Sequence, residues 1–329
     1  MAGQSTEIDL VSTTVTSFEI IEVLRSDKRA TIDDVAAELD IARSTAHRHL
    51  RTLVEYGFAE VDGNHYLIGS GFLKYGLLNS PERSAAQAFE VLEVLRELGD
   101  VTTKEVATVL DVPKPTAEQH LQLLERSEFV VSDGDCYQIG FKFLDFGIHA
   151  RQALDYYETA QEQVDMLAKE TDEKVRLIGT ENGLSVLLYR VMGNHPLQTT
   201  SQIGNRRPLH QLAAGKSILA FLPRKKVEEI ITRRGLPPRT ENTITDPEVL
   251  FTELDEIRER GYGFNRQESI EGLNAVGAPF RNEVGRPIGA LSISGPANRI
   301  KEDLLEKELP DLLMAATNEI EINLKYGDQ

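Results

Sequence analysis

The apolar positions near the amino terminus follow the spacing of short helices. Phe18, Ile21 and Leu24 recur at helical spacing and predict an amphipathic helix. Thr31, followed by two acidic residues, predicts the capped start of a second, short helix. Ser44 is expected to open a third helix, with its apolar residues facing a core. The segment therefore reads as three consecutive short helices.

A β-hairpin is predicted after these helices. Two short strand-like runs, FAEV and YLIG, flank the turn Asp62-Gly63. Three helices with a turn before the third, followed by a hairpin, give the element order of a winged helix-turn-helix. The third helix of this fold commonly enters the major groove of DNA.

The same pattern occurs a second time along the chain. The segment that begins at Phe18 aligns without a gap to the segment that begins at Phe89. Roughly 25 of about 59 paired positions are identical, which marks a duplicated unit of about 70 residues. The sequence therefore predicts a second winged helix-turn-helix directly after the first.

The third helix of the first copy is strongly basic. Its polar positions are the predicted DNA contacts: Arg43, Ser44, Thr45, His47, Arg48 and Arg51. The arginines can offer forked donors to guanine edges or phosphates, and the two hydroxyls at the helix start suit a phosphate. A merely solvated surface is the alternative. The absence of acids from this face, within a complete winged-helix pattern, favours DNA.

The third helix of the second copy has lost this basic character. Glu118, Gln119 and Gln122 stand where the first copy has basic residues, and Lys114 and His120 offer weak compensation. An acidic side chain on this face repels phosphate. The apolar positions are kept, so the second copy is expected to fold. Its predicted role is structural or a protein contact, with at most an auxiliary role on DNA.

The carboxy-terminal half follows a different pattern. Residues 141–174 predict one long helix that joins the domains. Strand-like runs then flank Asn182-Gly183, a hairpin signal. Gly215 is expected to open a helix, and Asp246 to Gly261 bound another one. With later strand-like runs and a final helix near 301–325, this order predicts an antiparallel sheet with helices packed on it.

Composition limits where and how the protein acts. Its 329 residues include 53 acidic and 36 basic side chains, a formal charge of −17. Phosphate affinity must therefore come from a local basic face. The single cysteine, Cys136, favours a reducing cytoplasm. We find no signal peptide and no apolar run near the roughly 20 residues that span a bilayer, so no membrane partner is expected.

Catalytic and metal-binding motifs are not found in the sequence. The stretch AAGKS invites comparison with a phosphate loop, but His210 stands where that motif needs a glycine. No spacing of cysteines and histidines suggests zinc, and no nucleophile and base stand at a convincing distance. We expect no catalytic residue, no metal and no cofactor.

Longer stretches resemble a known family. PLHQLAAGKSILAFLP, EGLNAVGAPF and ALSISGPANRI look like the effector-binding domain of the isocitrate-lyase-regulator (IclR) family of transcription factors. RSTAHRHLRTL and GNHYLIG resemble the DNA-binding domain of that family. The resemblance covers nearly the whole chain except the second winged helix. It implies a GAF-like domain that binds a small metabolite, often a carboxylate.

The resemblance also implies which residues form the effector pocket. They are Ala213, Ala214, Gly215, Asn265, Arg266, Leu273, Ala275, Ser292 and Ser294. Backbone N–H groups at the start of a helix carry partial positive charge and suit an anion. The alternative is that the glycine and serines are packing and turn residues. Arg207 and Arg266 depart from the common family pattern, and either one reaching the pocket would favour a more strongly anionic or more polar ligand.

The fold class is therefore α+β and multidomain, with two tandem winged helix-turn-helix domains before a GAF-like antiparallel-sheet domain. The predicted domains are 1–79, 80–150 and 151–329, the last including the linker helix. The predicted function is transcriptional regulation by an operator-binding homodimer or dimer of dimers that responds to a small, anionic metabolite. Two alternatives stay open: an enzyme that binds a small acid and uses winged helices for assembly, and a protein-interaction regulator.

Overall fold

The structure is a computed structural model that describes residues 16–26, 29–69, 83–193 and 202–326. The chain divides after Ala153 into two compact units, and each is described by itself. No helix within the described ranges is long and apolar enough to cross a membrane.

The first copy of the repeat has the predicted element order. Its elements are α1 (16–26), β1 (Ala30–Thr31), α2 (Ile32–Glu38), α3 (Arg43–Glu55), β2 (Ala59–Asp62) and β3 (His65–Ile68). Phe18, Ile21 and Leu24 are buried, as their spacing predicts. Thr31 and Asp34 form a capping box at the start of α2: the Asp34 N–H donates to the Thr31 hydroxyl, and the Thr31 N–H donates to the Asp34 carboxylate.

The hairpin of the first copy turns one residue later than predicted. Asp62 pairs with His65 as the last rung of the ladder, so the loop is Gly63 and Asn64. Gly63 has φ of +61°, a left-handed conformation that glycine adopts without strain.

The second copy repeats this architecture. Its elements are α4 (Arg83–Leu98), β4 (Val101–Thr102), α5 (Thr103–Val109), α6 (Lys114–Arg126), β5 (Val130–Asp133) and β6 (Cys136–Ile139). The strand orders β1-β3-β2 and β4-β6-β5 correspond. Thr102 and Glu105 form the equivalent capping box at α5. Both copies are therefore winged helix-turn-helix units of the same design.

The two winged helices share one hydrophobic core. Phe18 of α1 stacks on Phe129 of the second copy, with ring centroids 4.8 Å apart. In the reverse direction, Phe89 of α4 stacks on Phe58 at 4.4 Å and on Tyr56 at 5.4 Å. Buried apolar residues of both copies belong to this one cluster. The predicted boundary between residues 79 and 80 lies outside the described residues, and the separation into two domains stays a prediction.

The predicted long helix over 141–174 is wrong, because the structure has two helices there. They are α7 (Lys142–Gln152) and α8 (Tyr157–Thr171), with a turn between them. No glycine or proline marks this turn in the sequence. The adjacent side chains of Tyr156 and Tyr157 are both buried, and Tyr156 packs edge-on against Phe280 at 4.9 Å. The break thus follows from tertiary packing, which helical periodicity does not report.

The second unit is built on an antiparallel sheet, as predicted, and this sheet has six strands. Its strands are β7 (Lys174–Glu181), β8 (Leu184–Val191), β9 (Arg206–Pro208), β10 (Gly263–Arg266), β11 (Leu273–Arg281) and β12 (Pro287–Pro296), in the order β10-β11-β12-β7-β8-β9. Asn182 and Gly183 connect β7 to β8 with φ values of +52° and +76°. These left-handed values are those of a tight hairpin turn.

Helices pack on this sheet. They are α8, which contacts β7 and β8, and the later helices α9 (Ala213–Ala220), α10 (Arg224–Arg234), α11 (Pro247–Arg260) and α12 (Leu309–Tyr326), with a π-helical turn over Leu304–Glu308. Helix α9 begins at Ala213, two residues before the predicted start at Gly215. Asp246 caps α11, its carboxylate accepting from two backbone N–H groups, and Gly261 ends that helix with φ of +91°. Both ends of α11 match the prediction.

Candidate DNA-contacting helix and effector cavity

The polar side of α3 faces solvent. The predicted contacts Arg43, Ser44, His47, Arg48 and Arg51 are exposed, and Thr45 is half-buried. Arg43 pairs with Asp33 across 2.6 Å, but both side chains are 70% exposed. Such an exposed pair is weak and can be exchanged for a phosphate. Within the described ranges, neither Arg48 nor Arg51 has an acidic partner.

The opposite side of α3 fixes its position in the unit. Ala46, Leu50 and Leu53 are fully buried, as predicted. His49 is also buried, and its Nδ1 lies 2.8 Å from the hydroxyl of Ser17 on α1. His49 stands three residues after Ala46 and four before Leu53, on the core side of the helix. It therefore does not belong to the basic face, although it lies within the basic stretch of the sequence.

The start of α3 is open to an anion. The residue before the helix, Ala42, supplies no side-chain cap. The first N–H groups of a helix have no partner within the helix and point along its axis. Together with the exposed side chains of Arg43 and Ser44, these N–H groups form a suitable phosphate contact.

The equivalent face of α6 has different chemistry. Glu118 is exposed, and the Gln122 amide lies 3.4 Å from its carboxylate. The sequence suggests that His120 adds positive charge, but its side chain is buried and lies 3.4 Å from Gln87. Burial lowers the pKa of His120, which favours its neutral form. Exposed Lys114 remains at the helix start, so the face carries little positive charge.

A cavity opens beside the start of α9 in the second unit. Of the predicted pocket residues, the structure places Ala213, Ala214, Asn265, Leu273, Ala275 and Ser292 at its wall. Ser269, inside the predicted segment 265–275, also lines it, whereas Arg176, Ser185 and Asn205 were not predicted from the sequence. These residues come from segments that only the fold brings together, and no motif marks them.

Three predicted pocket residues do not line this cavity. Gly215 packs instead against Leu209, where a Cβ atom would lie 2.1 Å from the backbone oxygen. Ser294 is buried, 3.5 Å from the backbone oxygen of Lys174. Arg266 faces away and pairs with Glu306 at 2.5 Å. The packing alternative therefore describes the glycine and one serine, and an outer ion pair accounts for Arg266.

Close backbone contacts hold α9 at the cavity wall. A Cβ atom on Gly277 of β11 would lie 2.2 Å from the backbone nitrogen of Ala214. Asn265 secures the neighbouring segment: its amide donates to the Gln211 oxygen at 2.6 Å, and its carbonyl accepts from the N–H of Glu268 at 3.1 Å. Since both of its polar atoms are engaged, Asn265 shapes the wall.

The lysine of AAGKS does not bind phosphate in the manner of a phosphate loop. Lys216 is fully buried, and its ammonium group donates to Glu268 at 2.9 Å and to Glu253 at 3.2 Å. This lysine is therefore neutralised within the protein, and it does not line the cavity.

Two arginines carry positive charge at the cavity. Arg176 lies on β7, and Arg207 lies on β9, as the departure from the family pattern suggested it could. Burial lowers the pKa of Arg176 to about 10, and the nearby charge of Arg207 adds to this effect. Burial likewise lowers the pKa of Arg207. A lowered pKa at both arginines means that the cavity makes the charged form of each guanidinium group less favourable.

Comparison with known proteins agrees with this geometry. Residues 16–63 and again 84–134 match the IclR helix-turn-helix domain. Residues 148–322 match the family described as bacterial transcriptional regulator IclR C-terminal. The chain belongs to the IclR family. The resemblance seen in the sequence is thereby confirmed, and this IclR protein has transcriptional regulators as its relatives.

Individual relatives support the same assignment. The probable HTH-type transcriptional regulator ArcR of Halobacterium salinarum is 33% identical over 246 residues, which is 74% of this chain and 94% of the relative. KdgR of Escherichia coli is 30% identical and is covered to the same extents. The crystal structure of IclR from Thermotoga maritima has a TM-score of 0.64 and 33% identity, covering 73% of this chain and 98% of that one. Each relative is nearly fully covered, while a quarter of this chain lies outside the match.

Proposed function

We propose that this IclR-family regulator binds its operator through α3 of the first winged helix and holds a small anionic effector, of the carboxylate class, in the cavity beside α9. The observation that supports DNA binding is the exposed face of α3, on which Arg48 and Arg51 have no acidic partner within the described residues. The cavity supports an anion because two arginines line it. In this role the protein is not an enzyme, and it acts in the cytoplasm, where the DNA is.

Operator binding in this family fold is expected to involve more than one chain. A homodimer, or a dimer of dimers, would present two copies of α3 to half-sites about 34 Å apart or a multiple of that distance. An effector that favours one arrangement of the assembly would change operator affinity by its difference in affinity for the two states, typically about 1–3 kcal/mol.

The test is binding of the full-length protein to its own upstream DNA, measured by fluorescence anisotropy across a salt series. A scrambled duplex of the same length is the control. We expect tighter binding to the upstream DNA and an affinity that falls steeply with salt, because basic side chains release counterions from phosphates. Equal binding to both duplexes, or none at low salt, would contradict the proposal. Light scattering of the same samples gives the number of chains in the complex.

A further inference from the structure

The effector cavity concentrates positive charge that the protein itself does not neutralise. Arg176 and Arg207 both line it, and none of the described residues at its wall is acidic. No ion pair with an acid is formed by either arginine within the described ranges. The residue just before Arg207, Arg206, shows the usual arrangement, since it forms a buried ion pair with Glu181. Two adjacent arginines of β9 therefore differ: an acidic partner neutralises Arg206 but not Arg207.

The hydrogen-bonding capacity of one of these arginines is also unfilled. The Nε atom of Arg176 is buried without a hydrogen-bond partner among the described residues. A buried donor without a partner costs free energy, and a buried charge without a counter-charge costs more. Arg176 and Arg207 also repel each other, which adds to the effect of burial in lowering the pKa of Arg176. A ligand with one negative charge would leave half of this charge uncompensated.

The rest of the wall suits a short carbon skeleton with polar ends. Ile178, Leu187 and Leu273 provide apolar surface, while Ser269 and Ser292 bring hydroxyl groups. A guanidinium group binds a carboxylate or a phosphoryl group through paired hydrogen bonds. Two such groups therefore match a small molecule with two negative charges.

We propose that the effector of this protein is a small dianion, a dicarboxylate or a phosphate monoester, whose charges are held by Arg176 and Arg207. The inference rests on the proposed function, which requires only an anion in this cavity.

Calorimetric titration of the full-length protein at constant ionic strength tests it. Succinate is compared with succinamate, in which an amide replaces one carboxylate at nearly the same size. Glycerol phosphate is compared in the same way with the methyl ester of its phosphate, a diester that keeps one negative charge. We expect succinate or glycerol phosphate to bind at least about 10-fold more tightly than its matched control, because a charge-assisted pair is added. The tighter of the two dianions assigns the chemical source.

Variants identify the arginine that supplies the second contact. Arg207→Leu is expected to weaken dianion binding by about 10- to 100-fold and to change succinamate binding little. Arg190→Leu is the matched control, because Arg190 lies opposite Arg176 on β8 but does not line the cavity. It removes the same charge without removing the contact, so it should have a much smaller effect. An equal loss in both variants would show general attraction and overturn the assignment.

A measurement without ligand separates this role from a structural one. Arg207→Leu should raise the melting temperature of the ligand-free protein, since it removes an uncompensated, half-buried cation. A structural arginine would lower it. If succinate and succinamate bind equally, the dianion inference fails and the proposed anionic effector stands. If no probe binds and Arg207→Leu lowers the melting temperature, the cavity is not an anion site, and the effector part of the proposed function fails as well.

Discussion

The helices α3 and α6 occupy the same place in two winged helices, yet they present different side chains to solvent. Both bury alanine and leucine at equivalent positions, and both bury the equivalent histidines, His49 and His120. On the outer face, Arg48 and Arg51 of α3 correspond to Gln119 and Gln122 of α6. The residues that make the fold are thus distinct from those that would contact DNA, and the second set changed while the first was kept.

The largest expected difference between the two copies is in DNA affinity. Arg48→Ala combined with Arg51→Ala should cost about 2–6 kcal/mol of specific binding, since each arginine contributes about 1–3 kcal/mol. The matched variant, Gln119→Ala with Gln122→Ala, should bind nearly as the parent protein does. Fluorescence anisotropy on the upstream DNA measures both. Normal operator affinity in the arginine variant would contradict the assignment of α3.

The next largest effect is expected on stability, in the hydrophobic core that the two copies share. Phe89→Ala should lower the free energy of unfolding by about 3–5 kcal/mol, because this ring of the second copy packs on aromatic rings of the first. Phe141→Ala is the control, since that ring is 90% exposed. Denaturant unfolding monitored by tyrosine fluorescence and by DNA binding follows both copies. If the second copy unfolds while the first stays folded and binds DNA, the two cores are independent.

A smaller effect is expected when α6 is given the basic residues of α3. Glu118→His, Gln119→Arg and Gln122→Arg give α6 the residues of α3 at these positions. We expect about a 10-fold gain in affinity for non-specific DNA and a steeper salt dependence, because two or three more phosphate contacts become available. Glu118→Gln, which removes the acid without adding a cation, should gain much less. An unchanged salt slope in the triple variant would mean that this face cannot approach DNA.

The smallest effects are expected at the capping boxes, where the copies should behave alike. Thr31→Ala and Thr102→Ala should each cost about 1 kcal/mol of stability. Hydrogen bonds from the threonines lower the pKa of Asp34 and of Glu105 below their ordinary values of 3.8 and 4.5. The stability that these carboxylates contribute is present above those ordinary values and is lost as the pH falls through the lowered ones. Thermal melts of each variant from neutral to acid pH check the equality, and a cost in one copy alone would refute it.

The local elements of both units could be predicted because their signals are local. The capping residue Thr31, the turn at Asn182-Gly183 and the ends of α11 at Asp246 and Gly261 all depend on neighbours in the sequence. The break before Tyr157 could not be predicted in this way. It follows from burial against residues more than a hundred positions away, for which the sequence has no periodic signal.

The two candidate sites also differ in how far local sequence signals can predict them. On α3, a single helix carries all the predicted contacts, so spacing alone separates outward Arg48 from inward Leu50. The cavity draws Arg176, Ser185 and Arg207 from three strands, and spacing within one segment cannot show that they meet. The buried histidines His49 and His120 show that composition does not predict which side chains of a basic stretch face solvent, since a residue within such a stretch can still face the core.

The joint core of the two winged helices sets different tolerances for mutation in the second copy. Its exterior should tolerate substitution if, as we propose, α3 and not α6 contacts the operator. Its interior should not, because rings such as Phe129 complete the packing around Phe18 of the reading copy. If the second copy does not contact the operator, its contribution to this core is what keeps it necessary, and natural variants should accumulate on the outer face of α6 while sparing the buried aromatic positions.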